Sequence, residues 1–597
     1  MARLMRPLVL AAVLGAAGAF QRPLYRRAAV RMSAVEGGVE EGKAASRAAP
    51  AEEISRRRIV AFISHPDAGK TTATEQMLLA GGAINQAGVV RARGDARRAK
   101  SDWMEIEASR GISVSSTVLT FDYDKYRINL LDTPGHEDFG EDTYRTLSAA
   151  DNAVMLLDAA KGLEPRTRKL FEVCKLRGLP IFTFVNKLDR PSISPFDIMD
   201  QIEGEFGMTC APILWPIGSG DLFKGVLDRV EKNVYLFKKP VKGQPLCKES
   251  IPLDDVDALT EAIGDEAVEA LLEDVEMLDG LYEPLDRESV VTGDQTPVFF
   301  GSAFHSFGVD LFVKHFVNMG FEPPSRDVFG KGGDEEDKIV LEPTHSEFTA
   351  QVFKLQANMD PKHRDRIAFV RVMSGVFNRG MRVTLARTGR TIRLSQAQNI
   401  FGQDRETIEE AYPGDVLGLS NPGEFEIGDT IYSGGKDKLV QFAPIPCFSP
   451  EMFKYIRNPN PKAYKQFRKG VVELLNEGAV QLLRERGEEG MPGQNPILAA
   501  VGQLQFDVVQ QRLLNEYGCE SDLEPVAGYS VARWALGGWE AVDKAKAKLM
   551  GVMQTSDRWG RPVLLFASQW KMQNVVDNDE FGLDLVPYAM PPMDTKR

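Results

Sequence analysis

The sequence contains few cysteines, and none of them forms a close pair. Five cysteines are spread over 597 residues, and no two of them make a C-x-x-C motif. Zinc ribbons and redox motifs need such pairs, and disulfide-stapled domains need a far higher cysteine content. The sequence therefore argues against a zinc site or a disulfide framework, and it favours a reducing compartment.

The N-terminus lacks acidic residues, and its apolar run is too short for a typical membrane-spanning helix. No Asp or Glu precedes Glu36, and the run "PLVLAAVLGAAGAF" leads into the basic stretch "QRPLYRRAAVRMS". This order resembles the bipartite presequences of algae with complex plastids, with a junction at Ala19-Phe20; a lone secretory signal peptide is the alternative. We predict that residues 1–50 are a targeting presequence and disordered linker that directs the chain to the chloroplast stroma, with the mitochondrion as the alternative compartment.

The composition is that of a soluble globular protein of several domains. Apolar residues make up 43% of the chain, charged residues make up 26%, and the net charge is −13. This length allows three or more domains, each with its own core. The negative charge argues against a protein that coats nucleic acid indiscriminately, although it hides local patches.

Apolar segments that run into loops predict an α/β P-loop domain with a mostly parallel, doubly wound sheet at residues 55–325. The segments "RRRIVAFIS", "YRINLLDTPG", "AADNAVMLLDAA", "LPIFTFVNKLD" and "TPVFFGSA" read as its strands. An acidic helical insertion is expected at about 250–294, where a solvated face is the simplest interpretation. Glycine-punctuated alternating segments predict a β-barrel domain at 345–445, followed by an α+β C-terminal domain at 448–575 and a tail at 576–597.

The stretch "FISHPDAGKTT" almost matches a phosphate-binding loop, with Ser64 where the first glycine is expected. Alone it could be a glycine turn that caps a helix. Three later motifs, "DTPGH", "NKLD" and "GSA", each follow an apolar strand, as a nucleotide site requires. Serine is acceptable at position 64 if its backbone avoids a conformation that only glycine adopts. Together the motifs predict a GTP site.

Each motif has a physical role. The backbone N–H groups of residues 67–71 would face the phosphates, the Lys70 ammonium would bridge the β and γ groups, and Thr71 with Asp132 would hold Mg²⁺. Asp189 can accept hydrogen bonds from guanine N1–H and its 2-amino group, which adenine cannot offer. The predicted GTP-binding residues are Ser64, His65, Pro66, Asp67, Ala68, Gly69, Lys70, Thr71, Thr72, Asp132, Thr133, Pro134, Gly135, His136, Asn186, Lys187, Asp189, Ser302 and Ala303.

The motifs "DTPGH", "RGIS" and "NKLD" resemble those of translational GTPases of the elongation factor family. The resemblance implies that His136 orients the attacking water, with Lys70 and Asp67 as further catalytic residues. It also implies that Ser113 replaces the threonine that usually binds Mg²⁺, and that Pro66 and Ile112 are the apolar pair beside the histidine. The alternative is that His136 has only a structural role, with its ring hydrogen-bonded within the fold.

Longer phrases, such as "SHPDAGKTT", "KSDWMEIEASRGISV" and "QANMDPKHRDRIAFVRVMSG", are similar to the bacterial-type peptide chain release factor 3 family from about Ser55 into the third domain. This resemblance implies a ribosome-stimulated GTPase, acting as a monomer, that promotes dissociation of class I release factors after termination. The alternatives are an elongation-factor-G-like translocase or ribosome-protection GTPase, and a non-hydrolysing GTP-regulated scaffold. The match weakens after about Ala567, and the stretch that follows is too short for a further domain of ordinary size.

Local positive charge fits a ribosomal partner. Residues 351–400 contain ten Lys or Arg against two Asp, and residues 452–470 add six more basic residues. Ordinary solvated surfaces would account for part of this charge. No RNA-recognition motif occurs in the sequence, so we expect contact with the backbone and shape of ribosomal RNA.

Overall fold

The computed structural model describes residues 47–84, 107, 113–236, 250–330, 338–357, 366–401, 404–420, 423–434, 440–487, 496–545, 549–577 and 583–592. Nearly all of the predicted presequence, and Ile112 of the predicted apolar pair, lie outside these ranges. Within the described ranges, no helix combines the length and the apolar character needed to cross a membrane.

The first domain is built on a mostly parallel sheet. Its strands are β1 (Arg57–Ser64), β2 (Thr117–Tyr123), β3 (Tyr126–Asp132), β4 (Asn152–Asp158), β5 (Ile181–Asn186), β6 (Thr209–Pro212), β7 (Leu214–Ile217), β8 (Gly225–Asp228), β9 (Asn233–Leu236), β10 (Ser250–Pro252) and β11 (Gln295–Phe300). The main sheet has the order β2-β3-β1-β4-β5-β11-β6, and of these pairs β2–β3 alone is antiparallel. Every residue of β1, β4 and β5 is buried, because helices cover both faces of such a sheet.

Nine α-helices belong to this domain. They are α1 (Ala51–Ser55), α2 (Lys70–Ala80), α3 (Gly140–Ala149), α4 (Pro165–Leu176), α5 (Pro195–Phe206), α6 (Val256–Ile263), α7 (Asp265–Leu281), α8 (Arg287–Thr292) and α9 (Val309–Met319) among the described residues. The acidic stretch holds α6 to α8. Their inner face is apolar and joins the main core through Leu259, Val268, Leu271 and Leu278, so only the outer face is solvated.

The second domain is antiparallel and rich in β-structure, which confirms the predicted fold class. Its strands are β12 (Arg326–Phe329), β13 (Lys338–Leu341), β14 (Thr349–Ala357), β15 (Arg366–Ser374), β16 (Phe377–Asn378), β17 (Arg382–Leu385), β18 (Thr391–Arg393), β19 (Ala397–Phe401), β20 (Asp404–Thr407), β21 (Glu410–Ala411), β22 (Val416–Ser420), β23 (Thr430–Tyr432) and β24 (Gln441–Phe442). The strand order β18-β17-β23-β14-β15-β22-β19 continues into β2 through one backbone pair, Phe401 with Leu119.

In its described part, the third domain combines an eight-stranded antiparallel sheet with four α-helices. Its elements are β25 (Cys447–Phe448), β26 (Met452–Arg457), α10 (Tyr464–Asn476), β27 (Gln481–Glu485), β28 (Ile497–Ala500), α11 (Gln503–Tyr517), β29 (Asp522–Pro525), β30 (Val531–Ala535), α12 (Gly538–Lys544), β31 (Met553–Ser556), β32 (Pro562–Phe566), α13 (Gln569–Asp577), β33 (Leu585–Val586) and β34 (Tyr588–Ala589). The sheet order is β29-β26-β28-β27-β31-β32-β30-β33, and β34 pairs with β25.

The stretch predicted as a tail, 576–597, is therefore partly built into this domain. Strand β33 pairs with β30, and β34 pairs with the strand that begins the domain. Two-residue strands are too short to carry a periodic sequence signal, which is why the pattern did not reveal them.

A buried ion pair joins the first two domains. Asp151 precedes β4 and is fully buried. Its Oδ1 lies 2.6 Å from Nη2 of Arg371 in β15 and 2.9 Å from Nη2 of Arg326. Arg371 is itself buried and donates a further bond, 2.9 Å long, to the carbonyl oxygen of Ala149. The contact fixes the β-rich domain against the start of β4, at the edge of the parallel sheet where this strand begins.

Candidate functional site

A cavity of about 780 Å³ opens at the carboxyl ends of β1, β4 and β5. This edge of a parallel sheet is where α/β proteins bind ligands. Predicted residues make up most of its lining: Ser64, His65, Pro66, Asp67, Gly69, Lys70, Thr71, Thr72, Ser113, Gly135, His136, Asn186, Lys187 and Asp189. The other predicted residues lie close to the lining residues in the chain: Ala68, Asp132, Thr133, Pro134, Ser302 and Ala303.

The phosphate-binding loop takes a shape that only glycine fits at one point. Gly69 caps the N-terminus of α2 with a φ of +94°. A Cβ there would lie 2.4 Å from Nδ2 of Asn186, so a side chain would be both strained and blocked. Ser64 is the last residue of β1 and does not have a positive φ, which explains why serine is acceptable there. Residues 69–72 at the start of α2 line the cavity, and the first N–H groups of a helix have no acceptor within it, which is what an anion site requires.

Polar groups that could hold a metal ion converge beside this loop. Thr71 Oγ1 and Ser113 Oγ lie 3.5 Å apart. Asp132 Oδ1 lies 2.5 Å from Nζ of Lys70, while its Oδ2 is buried with no hydrogen-bond partner among the described residues. A buried carboxylate oxygen needs a partner. Two hydroxyls and this oxygen are the hard ligands that Mg²⁺ prefers, so these residues fit the ion.

The base-recognition end of the cavity is held by hydrogen bonds between motifs. Asn186 Nδ2 donates to the carbonyl oxygen of Ala68 over 2.9 Å, and Asn186 Oδ1 accepts from the N–H of Ala303 over 2.9 Å. Ser302 Oγ donates to Asp189 Oδ1 over 2.6 Å. The second oxygen of Asp189 remains for the ligand, with Arg190 Nε 3.9 Å away. The network links the P-loop to the base site and fixes the Asp189 carboxylate.

Lys187 spans the cavity between two acidic residues. Its ammonium group donates to the carbonyl oxygen of Asp67 and lies 2.8 Å from Asp158 Oδ2. Burial raises the pKa of Asp158, but the hydrogen bonds from Lys187 and from the N–H of Ala160 outweigh it and hold this pKa below its usual value. The Asp158 carboxylate therefore stays charged beside the Lys187 ammonium group.

Four lining residues were not predicted: Asp158, Lys161, Arg190 and Phe304. The Phe304 side chain is 70% exposed although it is large and apolar. An exposed aromatic ring beside a site that recognises a planar base is suited to stacking on it. Its position directly after the "GSA" motif was a signal that sequence reasoning could have used.

His136 faces the cavity from the loop that follows β3. It caps the short 3₁₀ helix Glu137–Phe139, and its Nδ1 accepts a hydrogen bond of 3.3 Å from the N–H of Asp138. This bond uses the Nδ1 lone pair, so the neutral ring carries its proton on Nε2. Among the residues that the structure describes, the polar contacts of the ring are made through Nδ1, so Nε2 can bind a ligand or water.

Three family models match successive parts of the chain. "Elongation factor Tu GTP binding domain" matches residues 55–322, "Elongation factor G domain 2" matches residues 347–434, and "Class II release factor RF3, C-terminal domain" matches residues 442–576. The third match separates this chain from GTPases that share only the first two domains.

Curated relatives match along nearly their whole length. "Peptide chain release factor 3" of Microcystis aeruginosa is 57% identical over 525 residues, which is 88% of this chain and 94% of that protein. The proteins of the same name from Rippkaea orientalis and a Synechocystis strain are 55% and 52% identical, and the alignments cover 96% of each protein and 89% and 91% of this chain. A crystal structure of a Thermus thermophilus protein shares the fold, with a TM-score of 0.60 at 23% identity over 79% of this chain and 67% of that one.

Proposed function

We propose, from the premise that this chain belongs to the peptide chain release factor 3 family of translational GTPases, that it releases class I release factors from the ribosome in an organelle. As a family member it binds GTP and acts in translation termination. The observation that carries the recycling proposal is the match of residues 442–576 to the class II release factor domain. That domain is what distinguishes the chain from related GTPases with other roles.

In this proposal the cavity holds GTP with its phosphates on the P-loop. The N–H groups of residues 67–71 and the Lys70 ammonium bind the phosphate oxygens. Mg²⁺ would be held by Thr71 and Ser113, with Asp132 behind them, and it would neutralise charge on the β and γ phosphates. The guanine edge would pair with Asp189, which Ser302 already orients over 2.6 Å. The exposed ring of Phe304 would cover one face of the base.

His136 is the proposed catalytic residue for hydrolysis. Water attacks the γ-phosphorus in line, the bond to the β–γ bridging oxygen breaks, and GDP and phosphate leave. His136 would hold that water through Nε2, because its Nδ1 is already occupied by the N–H of Asp138. Lys70 and Asp67 line the same cavity. Orienting the nucleophile is a contribution of the kind that positioned polar groups make.

Hydrolysis would act as a switch on the arrangement of the domains. The γ-phosphate and the metal ion order two loops, one around Ser113 and one around His136. Both loops are followed by segments that touch other domains. Lys354 of the second domain is buried and donates to Ser115 Oγ over 2.5 Å. Loss of the phosphate would therefore change contacts that set the domain angle.

The proposed ribosome contact lies on the third domain rather than on the second. Ion pairs neutralise much of the basic charge of residues 351–400: Arg371 with Asp151, Arg379 with Glu409, Arg387 with Asp429 and Arg390 with Glu424. Lys462, Lys465 and Lys469 are exposed just before α10 and along it, and no ion pair holds them among the residues that the structure describes. Tyr464, 57% exposed, stands between them. A basic surface with an aromatic ring suits phosphate-rich RNA.

The proposed compartment is the chloroplast stroma. The acid-poor first 35 residues support this proposal, and so do the cyanobacterial relatives, because plastids have a cyanobacterial type of translation system.

The test of the function uses ribosomes stalled after peptide release with a labelled class I release factor bound. Wild-type protein with GTP should speed loss of the label and should leave transfer RNA untranslocated on elongating ribosomes. Translocation without release-factor loss would instead assign the chain to the translocases.

The test of the enzyme uses His136→Ala. The variant should keep GTP binding and ribosome association but lose ribosome-stimulated hydrolysis by roughly 10²-fold or more, the scale of a positioned catalytic group. Equal turnover by variant and wild type would favour the scaffold.

A further inference from the structure

Helix α11 of the third domain begins at a residue without a side chain, and its own Gln505 side chain accepts from the N–H groups of Val501 and Gly502, just before the first turn. Its N-cap residue is Gly502, and the N–H groups of the first turn need an acceptor. The acceptor comes from the first domain: the N–H of Leu504 donates to Asp138 Oδ2 over 2.8 Å. The N-terminal end of a helix also favours a negative charge. Asp138 therefore takes the place of an N-cap residue across a domain boundary.

Asp138 is at the same time the neighbour of His136. Its N–H donates to Nδ1 of the imidazole over 3.3 Å, and its Oδ1 lies 3.4 Å from the same nitrogen. One carboxylate oxygen thus faces the histidine while the other binds α11. Asp138 is thus hydrogen-bonded both to the His136 ring and to the third domain, and Phe139 also contacts both, through its ring edge and through Leu504.

An apolar cluster surrounds this contact and includes the second loop of the site. Val114, Phe139, Leu504 and Val508 pack together and are all buried. Val114 directly follows Ser113, and Phe139 directly follows Asp138. The loop around Ser113 and the loop around His136, which would both contact the γ-phosphate, therefore pack against the first two turns of α11.

From these contacts we infer that Asp138 is a positioning residue for His136, and that its own position is set by the docking of α11. The inference rests on the proposed catalytic role of His136. When α11 is docked, the Asp138 carboxylate is fixed, its N–H stays aimed at Nδ1, and Nε2 is presented to the cavity. When α11 moves away, the carboxylate loses its partner and the ring loses its support. Hydrolysis is in this way made conditional on the placement of the third domain.

Gly502→Ala tests the link without touching the site. The backbone of Gly502 is extended, with φ −146°, so alanine is acceptable there in itself. Its Cβ, however, would lie 2.0 Å from Cγ of Asp138, so the carboxylate must move. We expect ribosome-stimulated turnover to fall about 10- to 100-fold, as for a misplaced catalytic group, with the Kd for GTP unchanged. Gly204→Ala, with open space around its Cβ, is the control and should behave as wild type.

Two double-variant cycles show whether the loss of turnover caused by Gly502→Ala depends on Asp138 and on His136. In an Asp138→Ala background Gly502→Ala should cause no further loss, because the clashing carboxylate is gone. In a His136→Ala background it should again cause no further loss. An equal fold-loss by Gly502→Ala in either background would overturn the inference, since a merely structural defect would lower turnover in all of them.

The ring signals of His136, measured by NMR after ¹⁵N labelling of histidine, provide a readout independent of catalysis. Gly502→Ala should shift the Nδ1 signal, and Gly204→Ala should not. An unchanged signal refutes the positioning role even if His136 is catalytic. A shifted signal combined with normal hydrolysis by His136→Ala supports the link but refutes the proposed catalytic role, so the two failures are distinguishable.

Discussion

Replacing Arg371 by methionine should weaken the contact between the first two domains. It should lower the free energy of unfolding more than replacing an exposed arginine does. Asp151 and Arg371 are both buried, so the variant leaves a buried carboxylate with Arg326 alone, 2.9 Å away, and leaves the carbonyl oxygen of Ala149 without its donor. Removing one partner of a buried pair costs about 3–5 kcal/mol. Because Arg326 remains, we expect the lower end, about 3 kcal/mol, which is a factor of about 100 in the equilibrium constant.

The assay is urea unfolding of the full chain, with the free energy taken from the first cooperative transition because three domains need not unfold together. Arg382→Met, in an exposed position of β17, is the matched control and should be nearly neutral. Adding Asp151→Asn to Arg371→Met should cost less than the sum of the two changes, because the buried charge that has lost Arg371 is removed. Coincident curves for wild type and Arg371→Met, or an equal loss in the control, would refute the importance of this pair.

Three further predictions concern the nucleotide and the presequence. Gly69→Ala should weaken binding of a fluorescent GTP analogue by at least about tenfold, since it adds both backbone strain and a clash with Asn186. The control Gly82→Ala, at a position with φ +67° and open space, should leave this binding unchanged. Equal binding by the two variants would show that the close approach of Asn186 is not the reason for glycine at position 69. Asp189→Asn should weaken GTP and favour xanthosine triphosphate, and unchanged GTP affinity would remove Asp189 from the base site. Residues 1–35 fused to a fluorescent protein should enter the plastid of an alga with a complex plastid, and changing Phe20 should keep the fusion out of the stroma; mitochondrial import would contradict this.

The sequence predicted those parts of the site that are local in the chain. Asp132 and Asn186 are the last residues of apolar strands, and Lys70 begins the helix after the loop that follows β1, so motif and strand together indicate where they lie. The strands and helices around them followed from apolar patterns for the same reason. The second domain was predicted as a class, although its two- and three-residue strands are too short to place individually.

Contacts between distant segments could not be predicted in this way. Asp138 and Leu504 are 366 positions apart, and Asp151 and Arg371 are 220 apart, so no periodic pattern connects them. The excess of basic residues in 351–400 was visible, but the carboxylates that neutralise many of them lie elsewhere in the chain. Charge counted along a sequence does not reveal charge paired in space.

The pairing of β34 with β25 has a consequence for the order in which the chain folds during synthesis. During synthesis Cys447 and Phe448 of β25 can pair only after Tyr588 and Ala589 have been made. The rest of the third domain lies between these two strands in the sequence. The first domain has all its strands by residue 300 and can form early, since nascent domains fold in order from the N-terminus. The third domain instead keeps an open strand edge until residue 589 has left the ribosome. A stalled or shortened nascent chain would therefore expose that edge, and such edges are where nascent chains aggregate or recruit chaperones.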